Sequence, residues 1–186
     1  MSQFAKPIAA LQGAASSVIQ QLLAEFAASV APFVRLAGVV EDTPDTPAPA
    51  TADPELRSLV DARRYRIFQD LGPSSIACAL DSGSLVTACE AVLRDIAAGC
   101  DLVVLSKFGK LEAARSGLAA AFAAGVEAGA PILTSVAPKF DAQWAAFADP
   151  MFVILPPDRS AIEGWWRSVA PERLQGRAET GRLAAG

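Results

Sequence analysis

Two loops in this 186-residue chain carry side chains that could do chemistry. The first is Ser106-Lys107-Phe108-Gly109-Lys110-Leu111-Glu112, directly after the apolar run Leu102 to Leu105. Two lysines, a serine and a glycine past a buried strand suit phosphate, another oxyanion or an acidic partner. The competing reading is a solvated loop with a Lys110–Glu112 or Lys107–Glu112 ion pair of little energetic weight. The second loop is Gly13-Ala14-Ala15-Ser16-Ser17, between an apolar run and a helical stripe. Backbone N–H groups at such a turn, together with a helix start, attract anions. The alternative is a turn with a structural role only. A third stretch, Gln69 to Ser75 with Asp81, is polar and glycine-containing and could line the same cleft. Turn chemistry plus a helix cap competes with that reading. The candidate ligand residues are therefore Gly13, Ala14, Ser16, Ser17, Ser106, Lys107, Gly109, Lys110, Glu112 and Asp81. None is assigned a catalytic or metal-ligating role.

Composition narrows the chemistry further. The chain has no histidine, so the commonest general base and metal ligand is missing. Its cysteines, Cys78, Cys89 and Cys100, contain no CxxC pair, and their even spacing is not a metal-ligand pattern. They read as free thiols in a reducing cytoplasm. The net charge of −4 argues against nucleic acid, although Lys107, Lys110 and Arg115 form a local basic group. Trp165-Trp166 is read as one core ring and one exposed or interfacial ring rather than a base-stacking platform. No apolar run approaches the roughly 20 residues needed to span a bilayer. Gln12, Gln20, Gln21 and Glu25 interrupt the Ala-rich start, which reads as helical rather than as a secretory signal. No pattern names a cofactor.

The elements that must position these loops alternate between short apolar strands and amphipathic helices. Pro7 to Leu11 reads as a strand, and Val18, Ile19, Leu22, Leu23 and Phe26 as the buried stripe of a helix that Pro32 ends. Val34 to Val40 reads as a second strand, with Gly38 allowing close approach of another element. Its end, Glu41 and Asp42, reads as solvated. Residues 43–54 hold four prolines and read as an extended insertion. Tyr65 to Phe68 reads as a strand and Gln69 to Asp81 as a loop. Asp81 or Ser82 then caps a helix striped by Leu85, Cys89, Val92, Leu93 and Ile96. Strand Leu102 to Leu105, the lysine loop, an Ala-rich helix from Ala113 to Ala128 and strand Ile132 to Val136 form a parallel βαβ unit. A short helix with Trp144 and Phe147, strand Phe152 to Leu155 and a helix through Ile162, Trp165 and Val169 follow. Residues 1–170 thus read as one domain and 171–186 as a flexible tail.

The lysine loop and its neighbours resemble the uncharacterised bacterial "domain of unknown function 2478" family. The matching pieces are QDLGPSSIACALD (Gln69 to Asp81), DLVVLSKFGKLEA (Asp101 to Ala113), Gly117, AGAPILTSV (Ala128 to Val136), Trp144 with Phe147, and LPPDRSAIEGWW (Leu155 to Trp166). Members typically carry Asn where this chain has Ser106. The layout is similar to a nucleoside-triphosphatase branch of the P-loop proteins, with DEIGxxE where this chain has SKFGKLE. In that comparison Ser106 and Lys107 replace an acidic pair, while Gly109 and Glu112 align. The resemblance also implies association with molybdenum-uptake or nitrogenase genes, and molybdate is an oxyanion. At the first loop, the pattern GxxxxGK[ST] would place its second glycine at Val18, its lysine at Ile19 and its hydroxyl at Gln20. None of the three is present.

The sequence therefore predicts a three-layer α/β domain, P-loop NTPase-like with degenerate motifs. Its mainly parallel sheet would have about five or six strands, with those of Leu11 and Leu105 central. The function it supports is a non-catalytic or weakly active domain binding a nucleotide or an oxyanion such as molybdate or phosphate, in an accessory role. Two alternatives stand beside it. One is a scaffold or homodimer using the Ala113 to Ala128 or Trp165-Trp166 helix. The other is a nucleoside-triphosphatase with atypical motifs.

Overall fold

The computed structural model describes residues 5–42, 55–69, 79–80 and 82–170. In chain order, β1 (Ile8–Leu11) leads into α1 (Ser16–Val30) and β2 (Leu36–Glu41). Then come β3 (Glu55–Ser58), β4 (Arg64–Arg66), β5 (Phe68–Gln69), β6 (Ala79–Leu80) and α2 (Ser82–Ala97). The second half runs β7 (Leu102–Leu105), α3 (Lys110–Ala113), α4 (Ala119–Glu127), β8 (Ile132–Ser135), α5 (Asp141–Ala148), β9 (Phe152–Leu155) and α6 (Arg159–Val169). Seven strands form one sheet in the order β4-β3-β2-β7-β8-β1-β9, and β5 and β6 form a separate antiparallel pair.

The run from β2 to β9 is parallel throughout, and β3 and β4 extend it as an antiparallel hairpin. The sheet is thus larger than the five or six strands expected. Strand β7 is central as expected, but β1 lies next to the edge because β9 adds only one strand beyond it. Within this sheet β3 is the strand the sequence hides; outside it, the stretch read as a loop from Gln69 to Asp81 carries the end of β5 and all of β6. Only Leu56 and Ser58 turn inward, so Glu-Leu-Arg-Ser has a single apolar residue to show.

Strands β1, β7 and β8 are buried along their whole length, which is why β1 and β7 read as unbroken apolar runs, while β8 buries Thr134 and Ser135 beside Ile132 and Leu133. Their side chains alternate between two cores. Ile8, Ala10, Val103, Leu105 and Ile132 pack with Leu85, Val92, Phe122 and Trp144 from α2, α4 and α5. Ala9, Leu11, Leu102, Val104 and Leu133 pack with Ile19, Leu23 and Phe26 of α1 and with Ile162 and Trp165 of α6. The three-layer arrangement follows from the crossover rule. From β1 to β2 the chain moves one way along the sheet, and from β2 through β9 the other, so right-handed connections put the helices on opposite faces.

Two features of the sheet depart from local propensity. Gly38 sits in β2 at φ 131°, and a Cβ there would lie 1.8 Å from the Val104 carbonyl oxygen on β7. The close approach read from the sequence is therefore backbone against backbone. The Ala-rich segment is not one helix from Ala113 to Ala128. It breaks between α3 and α4, where Arg115 and Gly117 both take φ 59°. Residues 43–54, Asp81 and 171–186 lie outside the described residues, as does the third candidate stretch beyond Gln69, up to Ser75.

Candidate functional site

The reversal of chain direction sets up a crevice. Strand β1 leads off across β8 toward β2, while β8 leads across β1 toward β9 on the opposite face. Ligands in open α/β sheets sit at such a switch point, outside the carboxyl ends of the strands. A cleft of about 380 Å³ lies there, walled by the segments that follow β1, β7 and β8.

The first wall is Gly13, Ala14, Ser16 and Ile19. Gly13 turns the chain at φ 111°, and extended Ala15 opens α1. Ala15 has no side chain to cap the helix, and the first turn carries no acidic residue. Among the described residues, the orphan N–H groups and the positive helix end therefore have no capping side chain.

The second wall is Lys107 to Lys110, held from beneath. Ser106 is buried, and its carbonyl accepts hydrogen bonds from Gln20 Nε2 at 2.7 Å and Ser135 Oγ at 2.8 Å. Gln20, also fully buried, accepts from the Glu41 backbone N–H at 3.0 Å. One amide thus ties α1 to the ends of both β2 and β7. Phe108 turns its ring into a cluster with Trp144 (centroids 5.0 Å apart), Phe147 (5.3 Å) and Phe122 (6.0 Å). Its N–H donates to the Ser135 carbonyl at 2.8 Å. Lys107, Gly109 and Lys110 are left lining the cleft. Behind them the buried Glu112 carboxylate accepts from the N–H groups of Gly109 and Leu118, both at 3.0 Å.

The third wall is Ser135 to Phe140. Lys139 Nζ lies 5.2 Å from the centroid of the Phe140 ring. Gln12 Nε2 donates to Asp141 Oδ1 at 2.8 Å and joins this wall to the first. The cleft is cationic: Lys107, Lys110 and Lys139 reach it from two different loops. Lys107 pairs with Glu41 at the end of β2. Among the described residues, Lys110 and Lys139 have no carboxylate partner within 4.0 Å.

Six of the ten residues chosen from the sequence meet in this cleft: Gly13, Ala14, Ser16, Lys107, Gly109 and Lys110. Ser17 is exposed on α1 but does not line it. Ser106 and Glu112 are buried and engaged in the framework beneath, so neither wall includes them. Asp81 lies outside the described residues. Neither lysine pairs with Glu112, because that carboxylate faces backbone N–H groups. Nor is the end of β2 simply solvated: Glu41 meets Lys107, and Asp42 meets Arg57 and Arg64. Val18 is not in the buried stripe either; it is 47% exposed, and Gln20 takes the inward place. The third wall was missed because Pro138 signals only a turn. The rule that ligands sit at strand carboxyl ends, applied to β8 as to β7, finds it.

Elsewhere the candidates do less. Cys89 and Cys100 are free, and burial pushes both thiols above the ordinary cysteine value, so neither is an activated nucleophile. Cys78 lies outside the described residues. The helix faces offered for a partner are largely occupied by the cores. Ala121, Phe122 and Gly125 of α4 are buried, as is Trp165, whose Nε1 donates to the Lys6 carbonyl at 2.9 Å. Trp166 packs edge-on to Phe26 at 6.4 Å. Among the described residues, no helix is long and apolar enough to cross a membrane.

A family model described as "Protein of unknown function (DUF2478)" matches residues 8–165, which takes in all three walls. The chain is also similar to the "Molybdenum import ATP-binding protein ModC 2" of Bradyrhizobium diazoefficiens, 33% identical over 168 residues. That match covers 90% of this chain but only 19% of the relative. No solved structure matches the chain.

Proposed function

We propose a function on one premise: this chain belongs to the DUF2478 family of proteins of unknown function. It is an accessory domain that binds an oxyanion-bearing ligand, a nucleotide or a small oxyanion such as molybdate or phosphate, without hydrolysing it. The observation that carries this reading is the convergence of Lys107, Lys110 and Lys139 on the uncapped start of α1. Cations and helix-start N–H groups without a capping side chain among the described residues, brought to one small cleft, are the chemistry that oxyanions select. At 380 Å³ the cleft is within the usual size of small-molecule sites. The molybdenum connection rests on the name of a relative of which the match covers 19%, so the ligand class is what the cleft supports. A cytoplasmic location belongs to the same proposal, since free thiols persist in a reducing compartment.

Hydrolysis lacks its devices. Phosphoryl transfer depends on positioning and on neutralising charge, with a metal and a water-orienting group in place. Ile19 stands where a phosphate-binding lysine would be needed. Gln20 stands where a metal-binding hydroxyl would be, and its amide is already bonded to Glu41 and Ser106. Ser106 and Lys107 occupy the place of an acidic pair. With ATP or GTP and Mg²⁺, the purified chain is expected to release phosphate no faster than a buffer control. Turnover that disappears in Lys110→Ala would reverse this and make the domain a nucleoside-triphosphatase.

Binding is tested by calorimetric titration with pyrophosphate and with molybdate. Lys110→Ala and Lys139→Ala should each weaken binding about three- to tenfold, and added salt should weaken it further. Unchanged affinity in both variants would place any bound anion elsewhere and leave the scaffold alternative in front. That alternative has one observation of its own, the 65% exposed ring of Phe33 between α1 and β2.

A further inference from the structure

We infer that Glu41 is an internal counter-anion for Lys107, competing with the ligand for that lysine and so setting how tightly the cleft holds an oxyanion. The inference rests on the anion-binding reading of the cleft. It starts from an asymmetry among the three lysines. Lys110 and Lys139 have no carboxylate partner among the described residues, whereas Lys107 reaches Glu41. The Lys107 side chain is 51% exposed and lines the cleft, while the Glu41 side chain is only 13% exposed and does not.

The pair is built into the fold. Glu41 ends β2 and Lys107 follows β7, and these strands are parallel neighbours. Gln20 grips both ends, accepting from the Glu41 N–H at 3.0 Å and donating to the Ser106 carbonyl at 2.7 Å. Ser135 Oγ donates to the same carbonyl at 2.8 Å. The two backbones are thus registered by buried hydrogen bonds, which fixes where the carboxylate and the ammonium can meet.

An oxyanion that recruits Lys107 must share it with a carboxylate of like charge. The repulsion grows with the charge of the ligand. Glu41 therefore lowers affinity most for the most highly charged ligands, which favours their release over retention. Lys107 stays a ligand-binding group, and Glu41 acts through it as a residue that sets specificity by charge.

The test is a double-mutant cycle on the full chain, with Glu41→Gln, Lys107→Ala and both together. Pyrophosphate and inorganic phosphate are titrated calorimetrically into each, after thermal melting confirms folding. Glu41→Gln should bind pyrophosphate about tenfold more tightly than the wild type, with a smaller gain for phosphate. Lys107→Ala should bind more weakly than the wild type, because the carboxylate is left without its cation. The double variant should return close to the wild type. If Glu41→Gln fails to fold, Glu41→Met supplies a neutral side chain of similar length for the same comparison. Wild-type binding with equal or weaker binding in the neutral variant would overturn the inference and leave the anion reading standing. No binding of either anion by any variant would overturn both.

Discussion

Gly38→Ala is expected to cost more than about 4 kcal/mol of stability, or to yield no soluble folded chain. The methyl group would stand 1.8 Å from the Val104 carbonyl oxygen and 2.9 Å from the Val104 nitrogen. Both are backbone atoms of the central strand β7, so no side chain can rotate out of the way. The φ of 131° adds strain for any residue with a Cβ. Relief requires β2 to move off β7, which would also separate Glu41 from Lys107. Urea unfolding followed by circular dichroism measures the loss. An unfolding free energy within about 1 kcal/mol of the wild type, as for an ordinary surface change, would mean that β2 and β7 do not meet in this register.

Glu112→Ala is expected to cost about 2–4 kcal/mol and to loosen the loop that presents Lys107 and Lys110. The buried carboxylate satisfies the N–H groups of Gly109 and Leu118, one on each side of the break between α3 and α4. Alanine leaves both donors without their acceptor. Gln keeps one acceptor oxygen, so Glu112→Gln should fall between alanine and the wild type. Gly117 is matched to the same carboxylate: a Cβ there would lie 2.4 Å from Glu112 Oε1. Melting and anion titration of the same samples separate the possible roles. A framework residue lowers the melting temperature first. Lost anion affinity at an unchanged melting temperature would show instead that Glu112 reaches the ligand.

Glu112 also shows where sequence reading stops. Its type and its place after Gly109 marked it as functional, and its residue pattern aligns with a hydrolase motif. Its bond to the Gly109 N–H is the local contact of a capping box, but nothing local says that the other oxygen reaches Leu118. That depends on the break at Arg115 to Gly117, which an Ala-rich run of high helix propensity conceals. The parallel strands were legible for the opposite reason: burial on both faces leaves continuous apolar runs such as Leu102 to Leu105. Strand β3, with one inward apolar side chain, left no such trace.

Two walls of the cleft were legible because small residues and lysines follow apolar runs directly. The third was not, since Lys139 follows a proline turn that carries no chemical signal of its own. The pairing of Lys107 with Glu41 could not be read either. It exists only because β2 and β7, 66 residues apart in the chain at Leu36 and Leu102, lie side by side in the sheet. The inward place of Gln20 is similar: a polar residue at a helix position that only two neighbouring strand ends can satisfy.

The central claim is that this cleft takes an oxyanion through its own cations, without a metal. A divalent ion at about 4 Å from a lysine ammonium meets roughly 8 kcal/mol of repulsion near a protein surface. Three lysines line this cleft, and in the resemblance to the nucleoside-triphosphatases Lys107 replaces an acidic residue. The most direct measurement is calorimetric titration of the full chain with ATP, pyrophosphate and molybdate, once in EDTA and once in millimolar Mg²⁺. At least one of these anions is expected to bind in EDTA, with an affinity that Mg²⁺ leaves unchanged or weakens. Binding that appears only with Mg²⁺, or that strengthens strongly with it, would contradict the account.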